Sequence, residues 1–102
     1  MGEWVRIARV GEIPEGRVKA SEYKGQRVVV ANVQGAYFAI QDLCTHDDGP
    51  LAEGELSGEL IECPRHGARF DVKTGKAVTL PAILPVKTFP VKVTSEDILV
   101  EI

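Results

Sequence analysis

Apolar and mostly basic residues alternate along Trp4-Val5-Arg6-Ile7-Ala8-Arg9-Val10, the period-two pattern of a half-buried strand. Pro14-Glu15-Gly16 turns the chain into a second candidate strand from Arg17 to Tyr23, and Lys24-Gly25 turns it again. Val28-Val29-Val30-Ala31 follows, a β-branched run suited to a fully buried strand. Gln34-Gly35 predicts a hairpin tip before Ala36-Tyr37-Phe38-Ala39-Ile40. Further strands are expected at Glu59–Glu62, Arg69–Val72, Lys87–Val93 and Ile98–Ile102, with turns at Thr74-Gly75-Lys76 and Ser95-Glu96-Asp97. No segment sustains apolar spacing at i, i+3, i+4 and i+7, and the prolines from Pro64 to Pro90 disfavour helix there. The pattern predicts a small all-β protein. Between Asp42 and Val72 it carries one long, turn-rich insertion, and loops of that length are usually functional.

The chain has 102 residues, the size of one domain, with 44% hydrophobic and 26% charged residues. Those fractions argue against intrinsic disorder. No apolar run approaches the roughly 18 residues needed to span a bilayer. The N-terminal stretch lacks an apolar signal core, and Arg6 spoils a myristoylation match, so a cytoplasmic location with no membrane association is expected. The net charge of −3 argues against nucleic-acid binding, which needs a basic surface. That average conceals a division. No Lys or Arg occurs between Arg27 and Arg65, an interval that holds Asp42, Asp47, Asp48, Glu53, Glu55, Glu59 and Glu62. On charge alone the interval reads as a solvated acidic loop region.

Its contents change the reading. Cys44-Thr45-His46 is followed, after sixteen intervening residues, by Cys63-Pro64-Arg65-His66. These four positions hold every cysteine and every histidine of the chain. Each pair brings a thiolate and an imidazole together on a short loop, and two such loops make a four-ligand cage for a transition metal. The residues alone leave alternatives open. Two buried cysteines with incidental histidines require chance to place all four in mirrored pairs. A Cys44–Cys63 disulfide leaves the histidines without a role and suits a reducing compartment poorly. Tetrahedral zinc takes two Cys and two His, but its loops normally pair like with like at wider spacing. A [2Fe-2S] cluster with two histidines on one iron and two cysteines on the other uses mixed pairs.

With Cys-x-His, a sixteen-residue spacer and Cys-x-x-His, the sequence resembles the Rieske family over nearly its whole length. It is most similar to the small stand-alone Rieske ferredoxins of bacterial aromatic-ring dioxygenase systems of the biphenyl and phenylpropionate type. Val18 through Phe38, both cysteine loops, Gly75-Lys76 and Phe89-Pro90-Val91-Lys92-Val93 carry the likeness. The resemblance implies a Rieske fold: an antiparallel β-sandwich or barrel over residues 1–102, with a small cluster-binding subdomain inserted at about residues 42–80. The cluster-binding loops would be residues 43–50 and 62–70. It further implies one [2Fe-2S] cluster, with Cys44 and Cys63 on the buried iron and His46 and His66 on the outer one. Backbone N–H groups at Gly49 and Gly67 would donate to the sulfurs, and Leu80-Pro81-Ala82 would shield the cluster.

Departures from the family carry information as well. Respiratory relatives brace the two loops with a disulfide, where this chain has Gly49 and Arg65. They also place hydroxyl donors after the second loop, where this chain has Ala68 and Phe70. Fewer donors stabilise the reduced cluster less, so the expected potential lies at the bottom of the Rieske range, roughly −150 to −100 mV. The implied role is a soluble one-electron carrier, not itself an enzyme. It would pass electrons from a flavin-dependent NAD(P)H reductase to a terminal Rieske oxygenase through transient, electrostatically steered encounters. Two alternatives stand beside it: a small Rieske-like subunit of a nitrite reductase-type complex, and a structural zinc module.

Overall fold

β-Branched runs, glycine turns and scattered prolines leave this chain little besides short strands. The computed structural model describes residues 2–45, 49–65, 67–80, 82 and 84–102, which form eleven strands and no helix. In chain order these are β1 (Trp4–Arg9), β2 (Val18–Tyr23), β3 (Gln26–Val33), β4 (Ala36–Gln41), β5 (Leu56–Ser57) and β6 (Leu60–Glu62). They continue as β7 (Arg69–Asp71), β8 (Ala77–Thr79), β9 (Thr88–Phe89), β10 (Val91–Val93) and β11 (Asp97–Glu101). Three antiparallel sheets result, in the orders β1-β11-β10, β2-β3-β4-β9 and β5-β6-β7-β8.

Strand β3 explains why there are two cores. Successive side chains on a strand point to opposite faces, so a run buried throughout must be covered on both. Val28 and Val30 pack with Ile7, Ile13, Ile98 and Val100 beneath the β1-β11-β10 sheet. Val29 and Ala31 face the other way, into a core with Ile40, Leu51, Ile61, Phe70 and both cysteines. The central sheet is thereby sandwiched, and the β5–β8 sheet with its loops forms a separate layer over one face. The implied all-β architecture and the long insertion are both present, and the insertion is itself a sheet.

Two of the predicted turns close as their residues require. Lys24-Gly25 and Gln34-Gly35 both have positive φ at each position, the geometry of a type I′ hairpin whose twist matches that of its strands. Where the structure departs from the expected strands, the reasons are local. Alternation in β1 breaks at Ile7 and Ala8, which are both buried. The register against β11 slips by one residue between Arg6 and Ala8, the signature of a bulge. The single strand expected over Lys87–Val93 is split by Pro90, which has no N–H to place in a ladder. Thr88–Phe89 extends the central sheet, and Val91–Val93 crosses to the outer one. Leu56–Ser57 and Ala77–Thr79 pair as edge strands in stretches without a strand pattern, because sheet contacts made at a distance override weak local preference.

Candidate metal centre

Each cysteine stands just past the end of a strand. β4 ends at Gln41, three residues before Cys44, and β6 ends at Glu62, immediately before Cys63. The two loops close in the same way. The Cys44 N–H donates to the Gly49 carbonyl at 2.7 Å, and the Cys63 N–H donates to the Ala68 carbonyl at 2.6 Å. In both, the acceptor lies five residues downstream, so the mirrored sequence pairs become mirrored loops. Gly67, at φ 76°, makes the second turn, and its N–H donates to the Cys63 carbonyl at 3.0 Å. That bond closes the turn around the second cysteine. No disulfide joins the two cysteines.

Both cysteines are completely buried, in one core with Leu51, Ile61, Ala68 and Phe70. Backbone contacts along the β5–β6 hairpin tie the segment that leaves the first loop to the start of the second. Glu62, next to Cys63, receives so close an approach from Gly54 that a β-carbon there would collide with its carbonyl oxygen. The Glu62 N–H in turn donates to the Glu55 carbonyl at 2.9 Å. Asp42 sits under the first loop, where its Oδ1 accepts from the N–H groups of Leu51 and Ala52 at 2.7 and 2.9 Å. A third segment is tied in from above, since Thr45 Oγ1 donates to the Leu84 carbonyl at 2.8 Å. Flanking that segment, Leu80 is exposed and Ala82 is buried. Sequence reasoning did not single out Gly54 or Thr45, because neither belongs to a pattern until distant segments meet.

Of the expected ligands, Cys44 and Cys63 are brought together, whereas His46 and His66 lie outside the described residues, as do Asp47, Asp48 and Pro81. The acidic interval is less uniform than its composition. Asp42 is buried. Glu62 is bonded by Arg69 Nε at 3.0 Å, and Glu59 by Lys73 Nζ at 2.6 Å. Glu59 holds the Lys73 ammonium above the usual lysine range by its hydrogen bond and its charge. These cations come from outside the interval. Unneutralised exposed charge therefore concentrates on Glu53 and Glu55 among the described acids of the two loops and the segment joining them.

Two sulfur donors held away from water, on twin loops that each also carry an imidazole in the sequence, fit a mixed-ligand [2Fe-2S] centre. An all-β frame with such a site defines a small iron–sulfur electron carrier. Residues 3–90 match the Rieske [2Fe-2S] domain, and the chain belongs to that family. It is 41% identical to the ferredoxin component of biphenyl 2,3-dioxygenase from Rhodococcus jostii (strain RHA1), over 95% of this chain and 91% of that one. It is 36% identical to the ferredoxin component of the naphthalene 1,2-dioxygenase system of Pseudomonas aeruginosa, over 98% and 96%. Among solved structures it superposes on the Sphingomonas yanoikuyae B1 ferredoxin with a TM-score of 0.91 at 34% identity, covering 98% of this chain and 99% of that one. A chain of the carbazole 1,9a-dioxygenase complex of reduced oxygenase and oxidized ferredoxin superposes with a TM-score of 0.93 at 31% identity, covering 96% and 92%. The protein carries one [2Fe-2S] cluster and is an electron-transfer component, not itself a catalytic subunit. The zinc alternative falls with that assignment. No helix among the described residues is long and apolar enough to cross a membrane.

Proposed function

We propose that this protein takes one electron from a flavin-dependent NAD(P)H reductase and delivers it to the terminal oxygenase of an aromatic-ring dioxygenase system. In this reading residues 1–102 are one Rieske domain acting in the cytoplasm. Cys44, His46, Cys63 and His66 hold the cluster on loops 43–50 and 62–70. The observation that carries the reading is the pair of fully buried cysteines on loops closed by identical backbone bonds. When bound, the cluster supplies a one-electron couple. The chain's own part is to keep the two thiolates dry, to fix the loops through Gly54, Asp42 and Thr45, and to leave the acidic rim open to a partner. Purified protein is expected to contain about two irons and two acid-labile sulfides per chain. Stoichiometric zinc without sulfide would refute the ligand set.

Exposed charge at the rim also makes a kinetic prediction. Glu53 and Glu55 are exposed, and transient redox partners use complementary charge to steer encounter. The double variant Glu53→Gln/Glu55→Gln is expected to slow electron transfer severalfold at low salt. At about 0.5 M salt, where the Debye length falls below ~5 Å, the gap from the parent is expected to close. Stopped-flow reduction of the oxygenase measures both. Rates indifferent to the substitutions and to salt would leave these glutamates as ordinary solvated surface.

A further inference from the structure

Asp42 is the single buried acidic side chain among the described residues, at 6% exposure. Its backbone is tied to the central sheet, and its carboxylate bonds the residues that leave the first cluster loop. Its backbone N–H donates to the Arg27 carbonyl at 2.9 Å, which anchors it at the end of the central sheet. Its Oδ1 accepts from both Leu51 and Ala52. Among the described residues no Lys or Arg makes an ion pair with it. It precedes Cys44 by two positions, which places their Cα atoms within about 7 Å of each other.

We infer that Asp42 is a positioning residue with a second effect: its buried carboxylate holds the first cysteine loop and biases the cluster against taking up its electron. The inference rests on Cys44 being a ligand, as proposed above. A carboxylate at a protein surface is screened by water and salt, whereas one inside the core acts through a medium of low effective dielectric. At a separation of about 10 Å and an effective dielectric of about 20, a unit charge shifts a one-electron equilibrium roughly tenfold. The direction is toward the oxidised form, because reduction adds negative charge.

The geometry separates the two effects. Both backbone bonds end on one oxygen, so Asp42→Asn can keep them through its amide oxygen while losing the charge. Asp42→Ser is a second neutral variant, with only a shorter hydroxyl in place of the carboxylate. Redox titration of the purified holoproteins, with iron, sulfide and visible spectra confirming occupancy, is the test. Asp42→Asn is expected to favour reduction about tenfold, which is ~59 mV for a one-electron couple. That shift is expected to persist at about 1 M salt, while Glu55→Gln, which removes an equal but exposed charge, changes the potential less than twofold in equilibrium terms. A loaded neutral variant with the parent's potential would overturn the inference. So would an equal shift from Glu55→Gln, which would make net charge the cause, or an Asp42→Asn protein that binds no cluster, since its amide oxygen is expected to suffice. Should the parent itself lack two irons and two sulfides, the ligand assignment fails first and is seen to fail separately.

Discussion

Gly54→Ala is expected to cost about 3 kcal/mol and most of the bound cluster. A β-carbon at this position would lie far inside contact distance of the Glu62 carbonyl oxygen and close to its carbonyl carbon. Both are backbone atoms, so no side chain can swing aside. Gly54 has an ordinary backbone conformation, since it is absent from the positive-φ positions. Alanine there would otherwise gain a few tenths of a kcal/mol by restricting the unfolded chain. The whole penalty is therefore steric, at the upper end of what overpacking costs. To relieve the clash, β6 must move away from residues 51–55, which strains the Glu62-to-Glu55 bond and carries Cys63 away from Cys44. Against a total stability of roughly 5–15 kcal/mol the loss is large, about 10–20 °C in Tm. Gly58→Ala is the control. Its β-carbon meets open space, but φ is 60°, so only left-handed strain of about 1–2 kcal/mol applies and the cluster stays. Thermal unfolding and iron content of both variants measure the difference. Equal, small losses would mean that the close approach does not hold the loops together.

How much of this was legible beforehand depends on whether the signal was local. The turn at Gln34-Gly35 and the buried run from Val28 to Ala31 could be read directly, because turn chemistry and β-branching act within a few residues. The cysteine and histidine pairs were equally plain, since metal ligation demands particular atoms at short spacing. Gly54 was not legible. Nothing around it distinguishes a glycine facing a distant carbonyl from one in a loose loop. Asp42 was only one acid among seven until burial set it apart from the others. The pairing of Glu62 with Arg69 follows from register, because the two stand directly opposite each other across β6 and β7. Sequence charge counts could not contain that information. Pro90 was visible, but its effect was not: the residue that ends one strand also starts the next on a different sheet, and only the packing of both cores decides where that strand goes.

Replacing Ala68 by serine and Phe70 by tyrosine is expected to raise the cluster's potential, each by about 50–100 mV. Both parent side chains are fully buried in the core that holds Cys44 and Cys63, and neither can donate a hydrogen bond. A hydroxyl added there stabilises the more negative, reduced cluster more than the oxidised one. A hydrogen bond to a charged acceptor is worth roughly 1.5–3 kcal/mol, and only its difference between redox states appears in the potential. With ~59 mV per tenfold change, that difference comes to tens of millivolts. Tyrosine at position 70 keeps the ring against Ile61, its partner across β6 and β7, and adds a single oxygen. Serine at 68 adds little volume, and the backbone there is already held, because the Ala68 carbonyl accepts the Cys63 N–H. Stability provides the second readout. A buried hydroxyl that finds no acceptor costs about 1–3 kcal/mol, so a donor that reaches sulfur raises the potential with little loss of Tm. One that misses lowers Tm and leaves the potential unchanged. If both single variants and the double variant titrate with the parent while unfolding earlier, the missing hydroxyls do not set this protein's potential. Buried charge, with Asp42 foremost, would then have to account for it.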